Sequence, residues 1–306
     1  MAKSADRPKR SDRGKKEQLV AYLCMAPSIV GLIFLTYVPL LAVFIISFFS
    51  WKGISKPHFN GIKNYIRLFT IDAYFGDSIK VTIIFTVLSV LGSMIYSLIV
   101  AMLLNRKIPA RGFFRAVFYL PYVLPAAAVY IGWSWLYETN FGLFNYILKS
   151  FGINNVMFLS DSTMVLPSLA LIAVWLSGNL IVIFLAGLQN VPAVYHEAAH
   201  IDGANGWQRF VNITVPSMSP IIFYNLLMSL ITNMQVVTPA LSLTSGGPGN
   251  STTFITYLMY RYAFKDNQIG YACAISFVFF IIIAIFTGIV FATSGTWVFY
   301  EEGDKK

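Results

Sequence analysis

Long apolar runs divide the chain into six segments, each of which is long enough to cross a membrane. A spanning helix needs about 20 mostly apolar residues. Six stretches reach that length, with approximate limits at 20–49, 79–104, 113–137, 164–188, 220–243 and 269–293. Prolines lie in or beside several of them, which a spanning helix tolerates where neighbouring helices satisfy the freed carbonyls. The pattern predicts an all-α, polytopic membrane protein with about six transmembrane helices.

Composition strengthens this prediction, because the chain carries too little charge for a water-soluble protein of its length. Of the 306 residues, 57% are hydrophobic and 11% are charged, and the mean hydropathy is +0.67. Soluble domains carry about 25% charged residues. The two cysteines, Cys24 and Cys273, fall inside apolar runs, which argues against a disulfide framework and against a cysteine metal site.

Positive charge is concentrated at the start of the chain, where seven of the first sixteen residues are basic. Such a run is typical of a cytoplasmic tail ahead of a membrane helix, and nucleic-acid binding is the less favoured alternative. The apolar run from Leu19 to Phe49 exceeds the roughly 7–15 residues of a signal-peptide core, so we expect a retained helix. With both termini inside, fourteen Lys and Arg residues face the cytoplasm and eight face outward. This bias predicts cytoplasmic termini, a tail at 1–18 and a transmembrane domain at 19–306.

The segments between the predicted spans differ in character. The one at 50–78 contains a helix-like stretch, Ile62–Phe69, and the one at 138–163 is rich in Asn, Gly and Ser. The run SGGPGN at 245–250 is a strong turn signal. The aromatic stretch 256–264 follows it and is typical of a helix lying at a membrane interface.

The long polar segment between the fourth and fifth predicted spans supports two interpretations, and the first is a zinc protease. His196, Glu197 and His200 spell H-E-x-x-H, which places both histidines on one helix face beside a potential general base. A catalytic zinc ion needs three protein ligands and an open position. Gly206 occupies the position of the third histidine in the extended motif, and His58 is predicted to lie across the membrane. The sequence therefore supplies two ligands of the three.

The second interpretation is an element that docks onto a partner protein. Pro192 suits the first turn of a helix, since its missing N–H would be unpaired there anyway. A short helix is predicted from Ala193 to Ile201, and Gly203 can supply a left-handed C-cap. A second helical piece is predicted near 207–212.

Ten positions of this segment follow the spacing of a known signature. They are Glu197, Ala198, Ala199, Asp202, Gly203, Ala204, Phe210, Ile213, Pro216 and Pro220. In this spacing the chain resembles the EAA loop of membrane subunits of bacterial binding-protein-dependent ABC importers, in the version found in maltose-type sugar permeases. Val215 departs conservatively from the leucine that usually precedes the proline. The run T-S-G-G-P at 244–248 fits the same family, so the resemblance covers nearly the whole chain.

The resemblance implies the type I permease fold of ABC importers, with the EAA loop at 190–219 seated in a cytoplasmic ATPase. The residues that it assigns to ATPase coupling are Glu197, Ala198, Ala199, Asp202, Gly203 and Ala204. The implied partners are a second permease subunit, two cytoplasmic ATPase subunits and an extracellular or periplasmic sugar-binding protein. The chain itself is expected in the bacterial inner membrane without a cofactor or nucleic acid, because ATP and Mg²⁺ bind to the ATPase.

Neutral polar and aromatic side chains in the fourth and fifth spans are the candidates for substrate contact. They are Trp175, Asn179, Ser229, Asn233 and Gln235. Ser229 and Asn233 share a helix face, whereas Gln235 lies about 200° around the helix from Asn233 unless the helix is irregular. Amides and hydroxyls beside aromatic rings suit a sugar, and hydrogen bonding between helices is the alternative role. Sugar permeases that bind substrate in this type of subunit use this part of the fifth span, which favours the first role.

Two absences from the sequence narrow the class of transporter. The span centres contain no ionisable residue, which argues against ion or proton coupling. No G-x-x-x-x-G-K-[ST] motif occurs, so the chain is expected not to hydrolyse ATP itself. We predict a carbohydrate permease subunit and not an enzyme. A zinc protease, a secondary transporter and a structural membrane partner are the alternatives, and similar permeases also import glycerol-phosphate diesters and uronic-acid polymers.

Overall fold

The computed structural model of the protein describes residues 10–299. In chain order the helices are α1 (Arg10–Leu32), α2 (Val38–Ile46), α3 (Lys63–Thr70), α4 (Ala73–Asn105), α5 (Arg111–Val123), α6 (Ala126–Leu136), α7 (Leu143–Ser150), α8 (Val165–Trp175), α9 (Gly178–Asn190), α10 (Ala193–Ile201), α11 (Gly206–Arg209), α12 (Val215–Ser217), α13 (Ser219–Met234), α14 (Ile255–Tyr260) and α15 (Ile269–Trp297). Four π-helical turns lie at Ile33–Tyr37, Phe210–Thr214, Ala240–Thr244 and Arg261–Lys265. Two short strands, β1 (Phe49–Ser50) and β2 (His58–Phe59), pair antiparallel. The all-α prediction is confirmed.

Residues 1–9, half of the predicted basic tail at 1–18, lie outside the described residues. The first described residue, Arg10, already begins α1, so helix starts inside the segment that the sequence assigned to the tail. The membrane-length run Glu17–Ile46 contains no buried residue in its most apolar window. It contacts the rest of the described chain mainly where α2 packs on α15, so its apolar surface faces outward from the chain.

The described residues contain three helices that are each long and apolar enough to span a membrane, and three bent pairs that pass the same test together. The three single helices are Glu17–Ile46, Ala73–Asn105 and Ile269–Trp297, and the bent pairs are α5 with α6, α8 with α9, and Gly206–Ser217 with α13. Counting each bent pair as one span gives six spans, in agreement with the prediction. The predicted third and fourth spans are therefore broken helices, whereas the bend of the third pair lies just before the predicted start of the fifth span.

The third span bends by 99° between α5 and α6. Leu124 has an extended backbone, with φ −68° and ψ 145°, because the residue before a proline is disfavoured in helical geometry. Pro125 also lacks an N–H, so it cannot continue the hydrogen-bonding ladder of α5. Its carbonyl instead accepts from Val129 N at 3.2 Å and starts α6. Pro121, by contrast, is accommodated inside α5.

The fourth span bends by 50° at Leu176–Ser177, and the break is stabilised by α4. Ser97 Oγ lies 2.9 Å from Ser177 Oγ and donates at 3.3 Å to the carbonyl of Ser177. The carbonyl of Ser177 also accepts from Leu180 N at 3.0 Å, so the contact fastens α4 to the residue at which α9 starts. Gly178 follows directly, and a Cβ there would lie 2.7 Å from the carbonyl oxygen of Phe118. Glycine therefore permits the close approach of α5 and α9.

Helix α4 is the centre of the bundle and packs against α8, α9 and α13. Its buried face carries hydroxyl residues at spacings of three and four, namely Ser78, Thr82, Thr86, Ser89, Ser93 and Ser97. Small side chains at helix contacts let the backbones approach closely, which drives packing inside a membrane where the hydrophobic effect between helices is absent.

A polar cluster around Asp72 ties together the loops at the end of the bundle opposite α10. Asp72 Oδ2 accepts from the hydroxyls of Tyr262 at 2.8 Å and Tyr271 at 2.6 Å, and Oδ1 caps α4 by accepting from Tyr74 N at 3.0 Å. Arg67 lies over the Tyr271 ring, 4.1 Å from its centroid. Burial, together with the hydrogen bond to the Asp72 carboxylate, raises the pKa of Tyr262 to about 12. The cluster joins the segment 63–74 to the start of α15.

Candidate docking helix and translocation residues

Helix α10 has the bounds that the sequence predicts, Ala193–Ile201. Pro192 is its N-cap, and Gly203 adopts a left-handed φ of +77° after its C-terminus. Gly203 N donates to His200 O at 3.1 Å, and Ala204 N donates to Ala199 O at 2.9 Å. These bonds satisfy carbonyls that the helix end leaves free. Local sequence alone thus fixes where the docking helix begins and ends.

The chain continues from α10 into the fifth span through a second defined helix start. Asn205 and Gln208 form a capping box, in which Asn205 Oδ1 accepts from Gln208 N at 2.9 Å and Gln208 Oε1 accepts from Asn205 N at 2.8 Å. The helical segment 206–217 then meets α13 at an angle of 68°. The non-helical residues 202–205 separate α10 from this segment, so a turn and a bend lie between α10 and the start of α13.

The two faces of α10 have different surroundings. One face lines a cleft of about 570 Å³ beside the ends of α4 and α9, and the lining residues are Asn105, Leu188, Gln189, Val191, Ala193, His196, Glu197, His200 and Arg209. The adjacent face carries Val194, Ala198 and Ile201, and the Ile201 side chain is 86% exposed. Val194, which is also exposed, and Ile201 together give α10 an apolar surface that no described residue covers.

The zinc-protease interpretation does not gain a third ligand from the fold. His196, Glu197 and His200 lie on the cleft face of α10, as the H-E-x-x-H spacing requires. Among residues 10–299, however, no group of three or more His, Cys, Asp or Glu side chains is arranged to hold a metal ion. Arg209 lies in the same cleft instead, and its Nε is buried without a hydrogen-bond partner within the described residues.

The predicted substrate residues of the fifth span are only partly accessible. Asn233 Nδ2 donates to Ser229 O at 2.8 Å and to Ser229 Oγ at 3.2 Å, so the two share a face as the spacing predicts. Ser229 is buried. Asn225, one turn earlier on the same face, is also buried, and neither atom of its amide group has a partner within residues 10–299. This face of α13, a helix that packs against α4, therefore carries an amide group without a hydrogen-bond partner in the described residues.

Gln235 occupies a different position from the one that a continuous span would give it. The predicted fifth span, 220–243, is interrupted because α13 ends at Met234 and Gln235 is its C-cap. The chain is then non-helical at Val236 and Val237 before helical structure resumes. The side chain of Gln235 is exposed, and no side-chain hydrogen bond in the described part of the chain involves it. The irregularity between Asn233 and Gln235 is therefore the end of α13 itself.

The two fourth-span candidates lie on either side of the bend. Asn179 is half-buried in the first turn of α9, and Trp175 ends α8. The Trp175 ring lies 5.6 Å from the ring of Trp133 in an edge-to-face arrangement. Both indoles line an apolar cavity of about 460 Å³ with Leu124, Pro125, Ala128, Val129, Gly132 and Leu136. Sequence reasoning missed Trp133, because nothing local distinguishes it from Trp135 of the same span.

The fold defines a class: a membrane bundle of bent helices with a short, exposed helix, α10, between its fourth and fifth spans. The chain belongs to the family of binding-protein-dependent transport system inner membrane components, whose family model matches residues 93–298. It is therefore a membrane-embedded permease subunit of an ABC importer, a transport subunit and not an enzyme.

Relatives of the chain carry names of the same class. It is 36% identical to the probable ABC transporter permease protein YesP of Bacillus subtilis, with 98% of each chain covered. It is also 36% identical to the multiple sugar-binding transport system permease protein MsmF of Streptococcus mutans, covering 85% of this chain and 90% of that one. The trehalose/maltose transport system permease protein MalF of Thermococcus litoralis is 30% identical, with 89% and 92% covered.

The fold matches a solved transporter. A chain in the crystal structure of a bacterial ABC transporter involved in the import of the acidic polysaccharide alginate superposes with a TM-score of 0.79 at 21% identity, covering 94% of this chain and 98% of that one. The predicted ABC importer permease fold is thereby confirmed.

Proposed function

We propose that the chain is one of two permease subunits of an ATP-driven carbohydrate importer in a bacterial inner membrane. Sugar transport is the function named for two of its relatives, MsmF and the trehalose/maltose permease. The second permease subunit, the two cytoplasmic ATPase subunits that bind ATP and Mg²⁺, and the external sugar-binding protein complete the transporter. This chain forms half of the translocation path.

The single observation that carries the coupling role is the geometry of α10. An ordered, capped helix exposes an apolar face around Ile201, and a four-residue turn connects it to the helical segment 206–217 that leads into the fifth span. We assign Val194, Ala198 and Ile201 to contact with the ATPase. On the cleft face, Glu197 and Arg209 offer an acceptor and a donor to the same partner. Asp202, Gly203 and Ala204 end the helix and set its direction, and Ala199 O accepts one of the closing bonds.

The substrate path is proposed to run past the end of α13. Asn233 and Gln235 lie on either side of the helix end, and neither the Gln235 amide nor the Asn179 amide is used by a side-chain hydrogen bond in the described residues. Free amides of this kind suit sugar hydroxyls, and Trp175 supplies an aromatic surface for an apolar sugar face. Ser229 is buried in this conformation, so its contact with substrate requires α13 to separate from α4.

The test is sugar uptake by the complete transporter in proteoliposomes. We expect ATP-dependent uptake of one sugar from a panel. Gln235→Ala should raise the half-saturating sugar concentration about five- to tenfold, because a lost hydrogen bond is worth about 1–1.5 kcal/mol. Asn155→Ala, at an exposed asparagine of the loop 138–163, is the matched control and should leave uptake unchanged. Uptake that persists without ATP and collapses with an ionophore would contradict the proposal.

A further inference from the structure

Helix α7 is the ordered centre of the segment between the third and fourth spans. Its inner face packs on α6: the Phe144 ring stacks on Trp133 at 5.8 Å and lies 5.3 Å from Tyr137. Asn145 is buried and fastens the segment, because Nδ2 donates to Val156 O at 2.9 Å while Oδ1 accepts from Val156 N at 2.8 Å. The inner face is therefore fully partnered, and α7 is held in one position.

The outer face of α7 is also apolar, and no described residue covers it. Leu143, Tyr146 and Ile147 are spaced i, i+3 and i+4 and point outward, and Phe141 and Phe151 flank them. Tyr146 is 75% exposed and Phe151 77% exposed. A helix that is apolar on both sides is expected to be buried on both sides. Something outside the described chain therefore covers this face.

The position and composition of α7 favour a lipid surface as the cover. It lies between α6 and α8, which both belong to bent pairs that span the membrane. Packed against α6, it is within one helix diameter, about 10–12 Å, of a spanning segment. From Thr139 to Ser160 the single charged residue is Lys149, which is little charge for a water-facing loop. Aromatic rings with an occasional lysine are typical of the membrane interface.

The surface of α6 continues the same apolar character. Ile131 and Trp135 are exposed on it, and they belong to a span whose outer surface has lipid as its ordinary solvent. We propose that the outer face of α7 rests in the interfacial layer of the lipid bilayer, with Tyr146 and Phe151 at the level of the headgroups and Lys149 toward the phosphates. The segment thus supports the third and fourth spans from the membrane surface, beside the Trp133–Trp175 pair.

Spin labels can locate this face in the assembled transporter. With the native cysteines Cys24 and Cys273 replaced by alanine, a nitroxide is attached at Tyr146→Cys, and at Asn154→Cys as the matched control in the same loop. Collision rates with oxygen, which concentrates in lipid, and with a polar nickel complex, which stays in water, are measured in nanodiscs. We expect the oxygen-to-nickel ratio to be several-fold higher at position 146 than at position 154.

Two results would overturn the proposal. Strong collision with nickel at position 146 would place the face in water. Weak collision with both reagents would mean that a protein partner covers it. Phe151→Cys is a second reporter with the same expectation, should the variant at position 146 fail to assemble. The outcome is independent of the sugar, because it depends on the membrane fold alone.

Discussion

Replacing Ile201 with alanine should weaken the binding of the ATPase without disturbing the fold. The side chain is 86% exposed in the chain alone, so α10 gains nothing from it before assembly, and a surface change of this kind alters stability by under about 0.5 kcal/mol. Buried against a partner, an isoleucine contributes about 1.5–3 kcal/mol. Truncation to alanine removes about 2 kcal/mol of that, which weakens association roughly thirtyfold.

The assay is a titration of purified ATPase subunits onto the permease pair in nanodiscs. Ile54→Ala is the matched control, because Ile54 is fully exposed in the segment between the first and second spans, which the six-span topology puts on the other side of the membrane from α10. We expect a dissociation constant raised roughly thirtyfold by Ile201→Ala and unchanged by Ile54→Ala. An unchanged constant for Ile201→Ala, or an equal loss for both variants, would refute the assignment of this face of α10 to the ATPase.

Three further predictions concern the packing of the bundle and its loops. Gly178→Ala places a Cβ 2.7 Å from the Phe118 carbonyl oxygen and should destabilise the protein by about 1–3 kcal/mol. Its melting temperature in detergent should fall by several degrees. Gly132→Ala, which has open space around its Cβ, should not lower the melting temperature. Asp72→Asn keeps the helix cap and should lower the free energy of unfolding by about 1 kcal/mol in the same assay. Asp72→Ala loses the cap and leaves two tyrosine hydroxyls without an acceptor, so it should lower that free energy by about 3 kcal/mol. Equal losses for the two variants would contradict the shared hydrogen bonds. The pKa of Tyr262 is raised from 10 to about 12, so its contribution to stability is complete below pH 10 and is lost as the pH rises toward 12. The melting temperature should therefore fall over this pH range, and Tyr262→Phe should make that fall smaller.

The docking helix was predictable because its signals are local. The proline before it and the glycine after it bracket the nine residues of α10, and the structure reproduces the predicted bounds. The short external helix was equally accessible, with Ile62–Phe69 predicted and Lys63–Thr70 observed. Capping and turn chemistry act over a few residues, so they are readable without the rest of the fold.

The bends of the spans were less predictable. Hydropathy gives the existence of a span but not its straightness, and Pro121 and Pro125 look equivalent in sequence. The structure accommodates the first inside α5 and breaks the helix at the second. The end of α13 at Met234 has no local signal of comparable strength, so Gln235 was expected on a continuous helix.

Contacts between distant parts of the chain were beyond sequence reasoning. Asp72 meets Tyr262 and Tyr271 across 190 and 199 residues, and Trp175 of the fourth span meets Trp133 of the third. Periodicity identifies which residues share a face of one helix, but it does not identify the helix that the face meets. The pairing of Ser229 with Asn233, four residues apart, was accordingly the part of the substrate prediction that could be read from spacing.

The most direct test of the proposed function is a gentle-detergent pull-down of the tagged chain from its native membranes, with every co-purifying protein identified. We expect a nucleotide-binding subunit and a second six-span membrane protein to accompany the chain, and the nucleotide-binding subunit to be depleted when Ile201→Ala replaces the wild type. Recovery of the wild-type chain without any nucleotide-binding protein would contradict ATP-driven import through α10.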